Sequence, residues 1–180
     1  MRAEILPALA EAFRQHGYEG ASLSRITQAT GLGKGSLYRL FPGGKDEMAA
    51  CVLDAIDGWF ESEIFAPLRQ GEPPGEAVSA MFEAVERYFR SGQRVCLIGV
   101  LALGAGRDRF GAAVRSYFAR WIEALAASLR RAGHGESAST ALAEEVVAQI
   151  QGAIVLARAL DDPALFTRRL ATLRSRIATA

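Results

Sequence analysis

Between residues 33 and 45 the chain gathers groups suited to contact with a polyanion. Gly33, Lys34, Gly35 and Ser36 are followed by Tyr38 and Arg39, and Lys45 lies six residues further on. Of 21 basic residues in the chain, Lys34 and Lys45 are the only lysines. Ammonium, guanidinium and hydroxyl groups bind phosphate oxygens, and the same side chains reach base edges in a major groove. Two glycines at the start of a helix cost stability, so close approach of a partner to the backbone is the expected compensation. Ser22 and Arg25, just upstream, extend the candidate surface. A nucleotide-binding phosphate loop also carries glycine, lysine and a hydroxyl residue, but its preceding strand and earlier glycine are missing here.

The elements that must hold these groups are helices, because strand periodicity is nearly absent along the chain. Ile5, Leu6, Leu9, Ala12 and Phe13 make the apolar stripe of a first helix, with Pro7 in its first turn and Gly17 at its end. Two short helices follow, over 23–30 and 34–40, with Gly31 between them. A sharp turn there needs a residue that accepts positive φ. Ile26, Leu32 and Leu37 are spaced to form a small wedge that sets the two helices at a steep angle. The Ser22 hydroxyl is placed to cap the first of them.

A long helix over 45–65 repeats an apolar face at Met48, Val52, Ile56, Trp59, Phe60 and Ile64. Pro67 and the stretch 71–75 break the pattern. Further helices are expected over 76–91, 95–104, 107–132, 137–161 and 163–177. The fold class is all-α with nine helices: a head over residues 1–48 containing a helix-turn-helix, and a helical body over 49–180.

The run from Gly31 to Phe41, followed by Gly44-Lys45-Asp46-Glu47-Met48, resembles the DNA-binding signature of the TetR family of regulators. Ile5, Leu6, Ala12, Phe13, Gly17, Tyr18 and Ser22 are similar to that family's first helix and its entry to the second. The resemblance covers about the first 50 residues. Thr27 and Thr30 depart from it, standing where the family often has alanine, and the turn Pro42-Gly43-Gly44 is one residue longer than the usual version. Cys96-Leu97-Ile98-Gly99 is similar to a subgroup that includes drug- and flavonoid-responsive repressors.

The resemblance implies a repressor released from a near-palindromic double-stranded operator by a small apolar or aromatic effector. Ser22, Arg25, Lys34, Gly35, Ser36, Tyr38, Arg39 and Lys45 are then the DNA-binding residues, and Arg2 is a further phosphate contact. It also implies a ligand cavity in the body, for which Trp59, Phe82, Phe110 and Trp121 are candidate lining and Arg107 a candidate polar anchor. Such apolar stripes are otherwise plain core. A homodimer interface is implied on the last two helices, with Ala141, Val147, Ile150, Ala157, Leu165, Leu170 and Leu173 as its residues.

Other classes find little material. A net charge of +1 points to no polyanion by itself, and residues 1–46 carry an excess of only two basic residues. Two distant cysteines without CxxC spacing suggest neither a metal site nor a disulfide, and no cofactor or catalytic group is expected. The N-terminus does not read as a signal peptide, and the longest apolar run, 95–105, is short for a membrane span. A cytoplasmic location without a membrane partner is the expectation. The competing readings are a helical interaction scaffold and a small hydrolase, both without DNA binding.

Overall fold

The computed structural model describes residues 2–104 and 106–179, with side chains to residue 177. Every regular element among the described residues is helical: α1 (Arg2–Gly20), α2 (Leu23–Thr30), α3 (Lys34–Leu40), α4 (Gly44–Phe60), α5 (Ala66–Gln70), α6 (Pro74–Tyr88), α7 (Leu97–Leu103), α8 (Gly106–Arg131), α9 (Glu136–Ala159) and α10 (Pro163–Thr179). The residues cluster in two compact units. The first runs to Gly58 and takes in Leu97–Arg115; the second holds Trp59–Cys96 and the chain from Ser116 onward. The first unit thus takes in α7 and the start of α8 as well as α1 to α3.

In the first unit, α1 is interrupted at Gly17, whose φ of 66° is non-helical. Pro7 lies inside α1, a turn deeper than expected. The short helices have the expected bounds, and both ends of α2 have an identifiable cause. The Ser22 hydroxyl accepts the Arg25 N–H at 3.3 Å and caps α2. Gly31 closes that helix in the left-handed region at φ 70°, its N–H donating to the Thr27 carbonyl at 2.9 Å. Ile26 and Leu37 are completely buried between the helices and Leu32 is half-buried. Thr30, the departure from alanine, clasps this turn: its hydroxyl donates to the Ile26 carbonyl at 2.8 Å and accepts the Leu32 N–H at 3.3 Å.

In the second unit, α10 packs on α9 and α6, and α6 packs on α5. The helix that begins as α4 does not stop at residue 65. It widens into a single π-turn over Glu61–Phe65 and continues past Pro67 as α5. A proline in a helix has no N–H to give and crowds the carbonyl four residues back. Just before Pro67, the Ala66 N–H meets the carbonyl of Glu61, five residues away, and this makes the turn wider than an α-turn. Phe60, Ile64, Phe65 and Leu68 are fully buried along this stretch. The helix α9 is long and apolar enough to cross a membrane by length and composition. Here, however, Val146, Val147, Ile150, Ala153, Ile154 and Ala157 on one face of it are buried within the chain.

Candidate nucleic-acid interface

The outer face of α3 presents the polar groups that the spacing singled out. Lys34, Gly35 and Arg39 are exposed, Ser36 is half-buried, and Tyr38 is 50% exposed although it is large and aromatic. The side chains of Lys34, Tyr38 and Arg39 make no hydrogen bond or ion pair among the described residues. A methyl group added at Gly33 or Gly35 would meet no atom of the chain within 4 Å. Nothing inside the protein thus requires glycine at these positions, whereas a partner lying against the helix start would.

The other expected contacts already have internal partners. Ser22 caps α2, and the Arg25 guanidinium donates to the Gly20 carbonyl at 2.7 Å. Lys45 is turned inward: its ammonium donates to the Tyr18 carbonyl at 2.9 Å and lies 4.3 Å from the centre of the Tyr18 ring. That position ties the start of α4 to the end of α1. Arg2 is likewise engaged, pairing with Glu47 at 2.8 Å and lying over the Phe41 ring. The other Glu47 oxygen accepts the Gly43 N–H at 2.8 Å, which steadies the long turn into α4.

Beside this seam lies a cluster not anticipated from spacing. The Tyr18 hydroxyl and the Arg109 guanidinium both donate to Asp46, one to each carboxylate oxygen. Burial, followed by the Asp46 hydrogen bond and charge, pushes the Tyr18 pKa up to about 12. Phe110, where α8 departs from helical geometry, packs edge-on against the same ring at 5.2 Å between centroids. The start of α8 is thus fastened to the residues that follow α3.

The expected ligand residues fall in both units. Phe110 packs on Tyr18 in the first unit, and Arg107 is exposed there. Trp59, Phe82 and Trp121 belong to the second unit. Phe82 and Trp121 are buried, and the half-buried Trp59 stacks at 4.6 Å from Tyr88. Most of the expected interface residues also face elsewhere. Val147, Ile150, Ala157, Leu170 and Leu173 are core within the single chain, Leu165 is half-buried, and Ala141 is exposed. The exposed apolar face of α9 is a different one, carrying Ala148, Gly152, Val155, Leu156, Ala159 and Leu160.

Residues 5–52 match the profile of bacterial regulatory proteins of the tetR family, and residues 74–170 match the LmrA/YxaF-like transcriptional regulator C-terminal domain. The chain belongs to the TetR family. This TetR-family protein is therefore a DNA-binding transcriptional regulator with an N-terminal helix-turn-helix and a helical body. It is similar to the HTH-type transcriptional regulator LmrA of Bacillus subtilis (strain 168), with 27% identity over 159 residues, 86% of this chain and 85% of that one. A TetR transcriptional regulator from Chloroflexus aurantiacus has the same fold, with a TM-score of 0.80 at 23% identity over 98% of this chain and 93% of that one. So does the TetR family transcriptional regulator CifR, as a cysteine mutant solved with 26bp double-strand operator DNA. Its TM-score is 0.77 at 23% identity, over 99% of this chain and 96% of that one.

Proposed function

We propose that this regulator is a repressor that binds a near-palindromic operator as a homodimer and leaves it when a small apolar or aromatic compound occupies the body. The observation that carries the reading is the outer face of α3, where Lys34, Tyr38 and Arg39 stand exposed beside two sterically open glycines. Such a face offers point charges for phosphates, a guanidinium for phosphate or guanine, and bare backbone for close approach. Ser36 joins them as a hydroxyl donor. Ser22, Arg25 and Lys45 act mainly by holding α2 and the start of α4 in place.

The dimer is best served by the exposed face of α9. Ala148, Gly152, Val155 and Ala159 recur along one side of the helix, and Val155, Leu156 and Leu160 are 60%, 47% and 63% exposed. An apolar stripe of this kind, with a glycine that lets backbones approach, suits a two-fold contact with a second copy. Ala141 and Leu165 flank it. Trp59, Phe82 and Trp121 remain the candidate lining of the effector site. The chain is read as acting by binding alone, without catalysis, in the cytoplasm where its DNA lies.

The test is a mobility-shift titration of the full chain with the DNA upstream of its own gene. Wild-type protein should bind it in preference to unrelated DNA. Lys34→Ala should weaken binding and lower the log–log salt slope by about one per protomer. Equal affinity and slope for the variant would refute the assignment of α3.

A further inference from the structure

Two polar side chains in the centre of the second unit lack a strong hydrogen-bond partner. Tyr117 is 2% exposed and Trp121 is fully buried, yet the indole nitrogen has no partner and the phenol oxygen has only the Cys96 thiol beside it. They lie one turn apart on α8, with ring centres 5.9 Å from each other. Phe60 packs against both, at 4.8 and 5.4 Å, and Tyr88 lies 4.8 Å from Phe60. Buried donors are almost always satisfied in folded proteins, and one left open calls for an explanation. Two in one helical turn call for it more strongly.

Packing alone does not supply that explanation, because a phenylalanine would fill the Tyr117 position without a polar atom. Indole nitrogen is a donor only, and the Cys96 thiol beside the Tyr117 hydroxyl is a weak acceptor. Burial and these neighbours raise the Tyr117 pKa well above its ordinary value, so the hydroxyl keeps its proton and remains a donor. A further observation bears on the same place. Phe60 and Phe65 bracket the π-turn Glu61–Phe65, and both rings join the cluster. Isolated π-turns occur often at functional sites, where helical packing departs from its regular form.

We propose that Tyr117 and Trp121 are the polar anchors of the effector site and select an uncharged aromatic compound bearing a hydrogen-bond acceptor, such as an aryl ketone. This rests on the reading that the body binds an apolar effector, and it replaces Arg107 as the anchor. The aromatic rings take the flat faces of the compound, and the two N–H and O–H groups take its oxygen. A cationic compound is disfavoured, because both anchors present hydrogens.

The experiment compares 9-fluorenone with fluorene, the same ring system without the oxygen, by calorimetry on the full chain. The ketone should bind about tenfold more tightly, the worth of one well-made buried hydrogen bond. In Tyr117→Phe and Trp121→Phe the ratio should fall toward one. Tyr117→Phe should keep or raise the melting temperature, because it removes an unsatisfied group. Equal binding of the two probes, or failure of both to bind, overturns the proposal. So does a lower melting temperature for Tyr117→Phe, which would mean that the hydroxyl is already bonded, for instance to a buried water. Release of upstream DNA separates this proposal from the broader reading. If a charged aromatic such as ethidium releases the DNA while fluorenone does not bind, the anchors are wrong and effector-driven release stands.

Discussion

Gly35→Ala should raise the stability of the protein while weakening its grip on DNA, two effects of opposite sign from one methyl group. Gly35 lies in the first turn of α3, and a Cβ placed there has no neighbour within 4 Å. Replacing glycine by alanine inside a helix gains about 0.8–1.0 kcal/mol, and no clash opposes it here. For a chain of this size that corresponds to a rise in melting temperature of roughly 2–4 °C. The same methyl group stands where a phosphate or groove edge must approach. Loss of one backbone hydrogen bond to a charged oxygen costs about 1.5–3 kcal/mol, or roughly a 10- to 150-fold loss of affinity per contact. Thermal unfolding and a DNA titration at fixed salt read the two effects separately. A variant that melts lower would refute the open geometry at Gly35. One that binds as tightly as wild type would refute the need for close backbone approach.

Tyr18→Phe tests the Asp46 cluster through pH. The folded-state pKa of Tyr18 lies near 12, above its ordinary value of 10, so the stability it contributes is fully present below pH 10 and is lost as pH rises toward 12. Chemical denaturation should show wild-type stability falling more steeply than that of the variant between those limits; identical slopes would remove the hydroxyl from the account. Leu156→Glu should convert a dimer to a monomer in sedimentation with unchanged helicity, because like charges would meet across the two-fold contact; a dimer that persists would move the interface off this face of α9. Thr30→Val should destabilise the chain by about 0.5–1.5 kcal/mol in denaturant titrations through loss of the clasp around Gly31. Unchanged stability would show that the hydroxyl does not hold the turn.

What could be read from the sequence depended on how local its cause was. The bounds of α2 and α3 follow from Ser22, Gly31 and the wedge at Ile26 and Leu37, all within 16 residues of one another. The inward turn of Lys45 toward Tyr18 and the grip of Arg109 on Asp46 join residues 27 and 63 positions apart, and no spacing rule reports such pairs. On α9 the difficulty was of another kind. That helix is apolar on two faces, so periodicity showed an apolar stripe without showing which side the chain keeps for itself; Ile150 and Ala157 fell inside, Gly152 and Val155 outside. Trp121 is recognisable as a body aromatic, but its lack of a partner exists only once α8 has packed. A proline usually ends a helix, so Pro67 conceals from the sequence that the chain continues through the π-turn into α5.

The π-turn also sets the phase of everything after it. One residue more than an α-turn requires advances the helix by about 100°, so residues beyond Phe65 are read in a different angular frame from those before Phe60. Ile64 and Phe65, adjacent in sequence, both point into the core within this wide turn, and Leu68 is brought inside after it. The length of the segment therefore matters as much as its composition. A chain whose 61–65 segment closed into regular α-turns without losing a residue would keep every apolar side chain and still turn the second half of this face toward solvent.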